Sequence, residues 1–217
     1  MADGWERLAR EDALFHIDPS MAGRTVAEFR ADGDLLVDWM LGFAGDGPRG
    51  RALEIGFGVG RNLVHLAGHF EHVDGVDVSE TMVALAREAG LPPNAAVHAT
   101  DGRDLRGFGD GTFDLVFSHL VFQHVADDDV VTGYLREIAR VLAPGGTAVV
   151  QLDTRRLGPA ARLVRVLPDA LLPRSRRRHM RRVPRDAAWV RVQVAQAGLR
   201  IDAEQGADGP LHWFRLV

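Results

Sequence analysis

The stretch ALEIGFGVGRN, residues 52–62, decides the reading of this 217-residue chain. Ala52 to Ile55 is a largely apolar run of strand length, and Gly56, Gly58 and Gly60 follow at alternate positions before a segment of helical periodicity. Glycine tolerates positive φ and lets the backbone approach a ligand with no side chain in the way. Between a strand and a helix, such a loop also aims its amides and the helix N-terminus at an anionic group. The dinucleotide fingerprint Gly-x-Gly-x-x-Gly needs glycine at position 61, where Arg61 stands, and no Gly-Lys-Ser/Thr of a P-loop follows. The loop therefore reads against NAD and against a nucleoside triphosphate.

Outward from this loop, short apolar runs alternate with helical periodicity, the pattern of a mostly parallel sheet. Leu63, Leu66, Ala67 and Phe70 predict a helix after the loop, and His72–Val78 a second strand that carries Asp77. Ser79 has the chemistry of an N-cap for a helix through Met82, Leu85, Ala86 and Ala89, ended by Gly90. Ala95–Thr100 and Thr112–Leu120 read as the next strands. A helix then carries Val131, Leu135, Ile138 and Leu142, and Pro144-Gly145-Gly146 stops it before a strand Thr147–Leu152. A helix from about Pro184 to Ala197, the run Leu199–Glu204 and a terminal strand Leu211–Leu216 predict a closing antiparallel pair.

The length suits one domain over residues 1–217. Within it, 1–50 reads as a helical cap with Trp5, Leu8, Phe15, Phe29, Leu35, Leu36, Trp39 and Met40 available for burial, and 51–155 as the ligand-binding core. Residues 156–185 read as an arginine-rich cover and 186–217 as the closing helix and strands. In an open parallel sheet ligands sit beyond the carboxyl ends of the strands, where an N-terminal extension can fold over as a lid. There is no cysteine, which removes disulfides, thiolate metal sites and thiol nucleophiles. No apolar run of about 18 residues and no leader-like N-terminal stretch is present, so a cytoplasmic protein without membrane contact is expected.

Net charge is −4, but residues 162–185 hold nine arginines against one acid, Asp169, so that this segment carries +8 and the rest −12. The clustered charge makes a local potential that the total conceals.

The ends of three successive predicted strands carry ligand-type residues. Beyond the glycine loop, Asp77 ends the second strand, where a carboxylate accepts hydrogen bonds from both hydroxyls of a ribose. Asp101 and Gly102 end the third, within reach of the base of the same nucleoside. A strand-end aspartate alone is usually a cap or turn residue, but the ordered set is far less expected by chance.

With these residues in place, the chain resembles the class I S-adenosylmethionine-dependent methyltransferases. LEIGFGVGRN, GVDVSETMVALAR, ATDGRDL, DGTFDLVFSHLVFQHV and REIARVLAPGGTAVV are similar to the family's five motifs in order, over roughly residues 50–155. The resemblance implies a Rossmann-like α/β fold: a seven-stranded, mostly parallel sheet with an antiparallel last strand and helices on both faces. It implies S-adenosylmethionine as cofactor and S-adenosylhomocysteine as product. The glycine loop, Gly56, Phe57, Gly58 and Gly60, would hold the methionine part, with Glu54 supporting the loop among the cofactor-binding residues and Ser118 near the methionine end. Asp77 would hold the ribose and Asp101 with Gly102 the adenine, with Val78, Met82 and Arg103 as further cofactor-binding residues. Phe57 stands where the family often has cysteine. AEFRADGDLLVDWM is similar to a segment that helps cover the cofactor in some members.

Methyl transfer from a sulfonium needs an acceptor held in line at attack distance in a dry site, and a base where the acceptor must lose a proton. His124 is the candidate base, against a structural role as a packing or capping group, and His119 is a candidate substrate-binding residue, against a structural role. Arg178, Arg181 and Arg182 are candidates to bind an anionic small-molecule acceptor, with Arg185 beside them, against a solvated basic run. His65, His69 and His72 have no metal-ligand spacing, and no metal is expected. A nucleic-acid methyltransferase using the basic run is one alternative. The −12 balance elsewhere and the lack of aromatic residues between the arginines weigh against it. A noncatalytic cofactor-binding protein is the other alternative. The sequence carries no statement of oligomeric state.

Overall fold

A computed structural model of the chain describes residues 2–18, 23–31, 33–159, 161, 167–168, 171–172 and 181–217. The strands are β1 (Arg51–Ile55), β2 (His72–Asp77), β3 (Ala95–Ala99), β4 (Phe113–Ser118), β5 (Leu142–Leu152), β6 (Ile201–Gln205) and β7 (His212–Leu216). They form one seven-stranded sheet in the order β3-β2-β1-β4-β5-β7-β6. Every pairing among β1 to β5 is parallel, and β7 runs antiparallel to both β5 and β6. The order reverses between β1 and β4, and the crevice beyond their carboxyl ends is where such a sheet takes ligands.

Alternation along the strands explains the two apolar layers. Leu53, Ile55, Val116, Val150 and Phe214 face one side with Leu135 and Ile138 of α6 (Asp128–Val141) and with Val190 and Val194 of α7 (Ala187–Gln196). Ala52, Val73, Leu115, Phe117 and Val149 face the other side. There they meet Val37 and Met40 of α3 (Asp34–Ala44), Leu63 and Leu66 of α4 (Leu63–Leu66), and Val83 and Ala86 of α5 (Glu80–Glu88). Strands with both faces covered are apolar on both, which is why they read as near-continuous hydrophobic runs.

The N-terminal residues form a cap with a small core of their own. Ala9, Ala13 and Leu14 of α1 (Ala2–Ile17) and Phe29 of α2 (Val26–Ala31) pack on Val59 of the glycine loop and Met82 of α5. α1 breaks at Asp12 (φ −169°, ψ 91°), whose carboxylate then accepts from the Phe15 amide at 3.1 Å and restarts the helix.

Some elements differ from the sequence expectation. The helix after the loop lasts only one turn, because the Gly68 and His69 amides bond three residues back rather than four. Strand β5 begins at Leu142 and carries Pro144-Gly145-Gly146 as an irregularity opposite Asp114. Gly146 fits there because a Cβ would lie 2.9 Å from the carbonyl oxygens of Ala143 and Phe113. Leu35, expected as a core residue, is 77% exposed. Ser79 does cap α5, accepting from the Met82 amide.

Candidate functional site

A cavity of about 310 Å³ lies beyond the carboxyl ends of β1, β2 and β4, beneath α1. The glycine loop forms its floor. Gly56, with φ at 73°, donates to the Val76 carbonyl at 2.7 Å, and a Cβ there would stand 2.2 Å from Val121 Cγ2. Only glycine meets both demands. Asp77 at the end of β2 ties the loop to the next turn: its carboxylate accepts from the Gly58 amide at 3.0 Å and the Ser79 amide at 2.9 Å. Burial pushes the Asp77 carboxyl up, opposed by these amides.

Glu54 is buried, and Oε1 accepts from Asn62 Nδ2 at 2.8 Å. Its Oε2 and Asn62 Oδ1 are buried without a hydrogen-bond partner, and both residues line the cavity. Burial pushes the Glu54 carboxyl up to about 8. At pH 7 the Glu54 carboxyl holds a proton, and a cationic amine that displaced this proton would meet both oxygens.

His119, Leu120, Val121, Gln123 and His124, on the segment between β4 and α6, line the same cavity. Leu120 has φ at 59°, a left-handed conformation that costs a bulky residue free energy. Burial, then Arg61 and Arg182, hold the His119 imidazole down at about 3, and burial with Arg182 holds His124 at about 4. Both rings are neutral at pH 7. His119 stacks on Trp213 at 5.1 Å, and Trp5 of α1 meets His124 edge-on at 5.3 Å.

The cap is held by charge-assisted bonds. The Glu6 carboxylate accepts from Ser79 Oγ (2.7 Å), the Thr81 amide (3.1 Å) and Thr81 Oγ1 (2.7 Å), which holds its carboxyl down at about 2. Arg30 of α2 is buried and donates to the carbonyls of Val59, Ala86 and Gly90, tying the glycine loop to the end of α5. Glu6 belongs to no motif, Arg30 lies within the AEFRADGDLLVDWM segment, and neither was singled out in the sequence. A carboxylate on a cap helix and an arginine among apolar neighbours were the only signals available.

The cavity brings together Glu54, Gly56, Phe57, Gly58, Asp77, Val78, Met82, His119, His124 and Arg182 of the expected site residues. It is not lined by Gly60, whose free side faces the Arg30 guanidinium. Asp101 and Arg103 are exposed and Gly102 is buried; Asp101 spends its carboxylate on the Arg103 amide at 2.9 Å, and Thr100 forms the wall at the β3 end. Ser118 is buried with its hydroxyl donating to the Ile55 carbonyl at 3.2 Å. These five stand outside the lining of the cavity. Arg178 lies outside the described residues. Arg181 donates to the Leu167 carbonyl at 3.2 Å, away from the cavity wall. Arg185 is buried and braces the His124 segment, donating to Asp128 at 2.9 Å and to the carbonyls of Phe122 (3.0 Å) and Val125 (2.6 Å). Among the described residues no helix is long and apolar enough to cross a membrane.

Comparison with known proteins agrees with this geometry. Residues 53–150 match the family model described as a methyltransferase domain. The chain is 28% identical over 179 residues to ajmaline N-methyltransferase of Rauvolfia serpentina, covering 77% of this chain and 60% of that protein. It is 32% identical over 148 residues to norajmaline N-methyltransferase of the same plant, covering 63% and 49%. The chain thus spans about half the length of these relatives. The solved DhpI–SAM–HEP complex has the same fold, with a TM-score of 0.65 at 21% identity over 98% of this chain and 94% of that one. A glycine loop under a cavity, an acidic end to β2, the strand order and the matching domain all converge: residues 53–150 form a methyltransferase domain on a Rossmann-like sheet.

Proposed function

We propose that this chain transfers the methyl group of S-adenosylmethionine to a nitrogen or oxygen atom of a small metabolite bound beside His119, His124 and Arg182. One observation carries the reading. A single cavity is lined by Glu54 and Asn62, each with a buried, unpartnered oxygen, and by two neutral imidazoles. Glu54 and Asn62 would take the ammonium of the methionine part, and Asp77 the ribose hydroxyls, each an acceptor matched to a donor. When bound, the cofactor supplies a methyl group already activated on a sulfonium.

The chain's own task is then to bind, orient and exclude water. α1 covers the cavity through Trp5 and Ile17, and the Glu6 contacts hold it there. Arg182 supplies positive charge at the acceptor end, which favours an acceptor bearing an anionic group. The names of the two plant relatives are consistent with a nitrogen acceptor. Calorimetric titration with S-adenosylhomocysteine tests the cofactor end, with NAD as control. Incubation of cofactor and protein with metabolite extract, read by mass spectrometry for a gain of one methylene, tests the transfer. Binding of NAD without S-adenosylhomocysteine would reject the reading, and cofactor binding with no methylated product would leave a noncatalytic binder.

A further inference from the structure

The hydrogen bonds behind the acceptor end fix where the proton of His124 sits. The Leu120 backbone N–H can only donate, and it donates to Gln151 Oε1 at 3.0 Å. The Pro210 carbonyl can only accept, and it accepts from Gln151 Nε2 at 3.0 Å. These two backbone groups together orient the Gln151 amide, without any choice left to the side chain. Gln151 Nε2 therefore also faces the oxygen of Gln123, at 3.4 Å. Gln123 in turn presents its NH₂ to His124 Nε2 at 3.1 Å. An amide NH₂ only donates, so Nε2 is the lone-pair nitrogen of the neutral ring and the proton is on Nδ1. Nδ1 is buried with no partner, on a residue that lines the cavity.

Gln123 and Gln151 are both buried, at 1% and 0% exposure, which protects this chain of bonds from competing water. The same Gln151 holds the amide of Leu120 in its left-handed conformation, so the segment and the tautomer are set by one side chain.

We propose that Gln151 and Gln123 act as positioning residues that lock His124 in its Nδ1–H form, so that it offers a hydrogen-bond donor to an oxygen of the methyl acceptor. The proposal rests on the reading of the cavity as the methyl-transfer site. It also gives His124 a role other than general base: Nε2 is occupied by Gln123, and Nδ1 already carries a proton. The acceptor accordingly brings its own lone pair to the methyl group and carries an oxygen, as a carboxylate, carbonyl or phenolate does, to take the proton of Nδ1 in a hydrogen bond.

The test is nitrogen-15 NMR of histidine-labelled protein, alone and saturated with S-adenosylhomocysteine, with the His124 signals assigned by their loss in His124→Gln. The long-range nitrogen–proton pattern tells which ring nitrogen is protonated. In the wild type Nδ1 carries the proton and Nε2 does not, throughout pH 6 to 8. Gln123→Glu, which replaces the amide donor with an acceptor, moves a proton onto Nε2. Acetate, the oxygen-acceptor probe, shifts the Nδ1–H signal to saturation, and methylammonium at equal ionic strength does not. A wild-type ring protonated at Nε2, a spectrum unmoved by Gln123→Glu, or a response to methylammonium and not to acetate would overturn the proposal. Failure of S-adenosylhomocysteine to bind is a separate result, because the tautomer is read in the ligand-free protein as well.

Discussion

Glu54→Gln separates the two demands placed on one buried residue. Its carboxyl lies near pH 8 in the folded chain against an ordinary value of 4.5, because burial penalises the charge more than the Asn62 bond favours it. The folded chain thus holds a proton that the unfolded chain releases above pH 4.5, so stability falls as pH rises from about 4.5 to about 8 and is level beyond. At about 1.4 kcal/mol per pH unit, the loss across that window is on the order of 4 to 5 kcal/mol. Glutamine has no proton to lose, and urea denaturation should show the variant more stable than wild type at pH 8 by roughly 2 to 4 kcal/mol, the gap closing toward pH 4.5. Ligand binding should move the other way. The ammonium of S-adenosylhomocysteine favours the ionised carboxylate, so at pH 7 binding to wild type releases about 0.9 proton and its affinity rises with pH until about 8. Calorimetry in buffers of different ionisation enthalpy measures that proton directly. The variant should release none and bind more weakly by about 1.5 to 3 kcal/mol, the range for a hydrogen bond to a charged group. Wild-type heats that are independent of buffer, with affinity flat from pH 6 to 8, would refute the reasoning.

Four further outcomes follow from single contacts. Asp77→Ala should weaken S-adenosylhomocysteine binding by about 1.5 to 3 kcal/mol in calorimetry with the domain still folded, since the site loses a charged acceptor. Gly56→Ala should lower the melting temperature and abolish tight binding; adding Val121→Ala should recover the part due to the 2.2 Å clash and leave about 1 to 2 kcal/mol from the left-handed backbone. Glu6→Ala should release the cap, speeding proteolysis within residues 1–17 and raising the cofactor Kd several-fold, while the urea midpoint of the sheet domain moves little. Arg185→Ala should cost about 2 to 4 kcal/mol in urea denaturation, because the carbonyls of Phe122 and Val125 lose their buried donor.

What the sequence disclosed follows from how local the cause is. The order of strands and helices was legible because the central strands bury both faces and the helices pack one face on the sheet, leaving period and punctuation in the chain itself. The glycine loop was legible because positive φ at Gly56, Gly58 and Gly60 can be met by few residues. Asp77 was legible because a strand end is a fixed place in the fold. Asp101 has the residue type that suits the base of a nucleoside, and one of its oxygens accepts from the Arg103 amide two residues on. The arginine run gave a charge and no geometry. One of its members, Arg185, is buried as a brace, while Arg182 reaches the cavity, and nothing in the spacing of the arginines separates the two fates.

The acceptor end was the least legible because the groups that set its chemistry are far apart in the chain and act through one another. Leu120, Gln123 and His124 sit on one segment, Gln151 near the end of β5 and Pro210 just before β7, and only folding brings them together. Glutamine has no distinctive period, and a single histidine after a strand reads equally as a base or a packed ring. The protonation state that decides between those roles is set two side chains away, by a backbone donor and a backbone acceptor whose roles cannot be exchanged. A test on His124 itself follows. Asparagine keeps an amide donor close to the place of Nδ1, and alanine does not. If His124 donates to the acceptor, His124→Asn should hold kcat near wild type with a modest rise in KM, while His124→Ala should lose about 2 to 3 kcal/mol of transition-state stabilisation, the scale of an unmet donor to a charged oxygen. If His124 were the base, both variants should fall together by about 10²- to 10⁴-fold in kcat. With cofactor affinity measured alongside, equal loss in asparagine and alanine would reject the donor role.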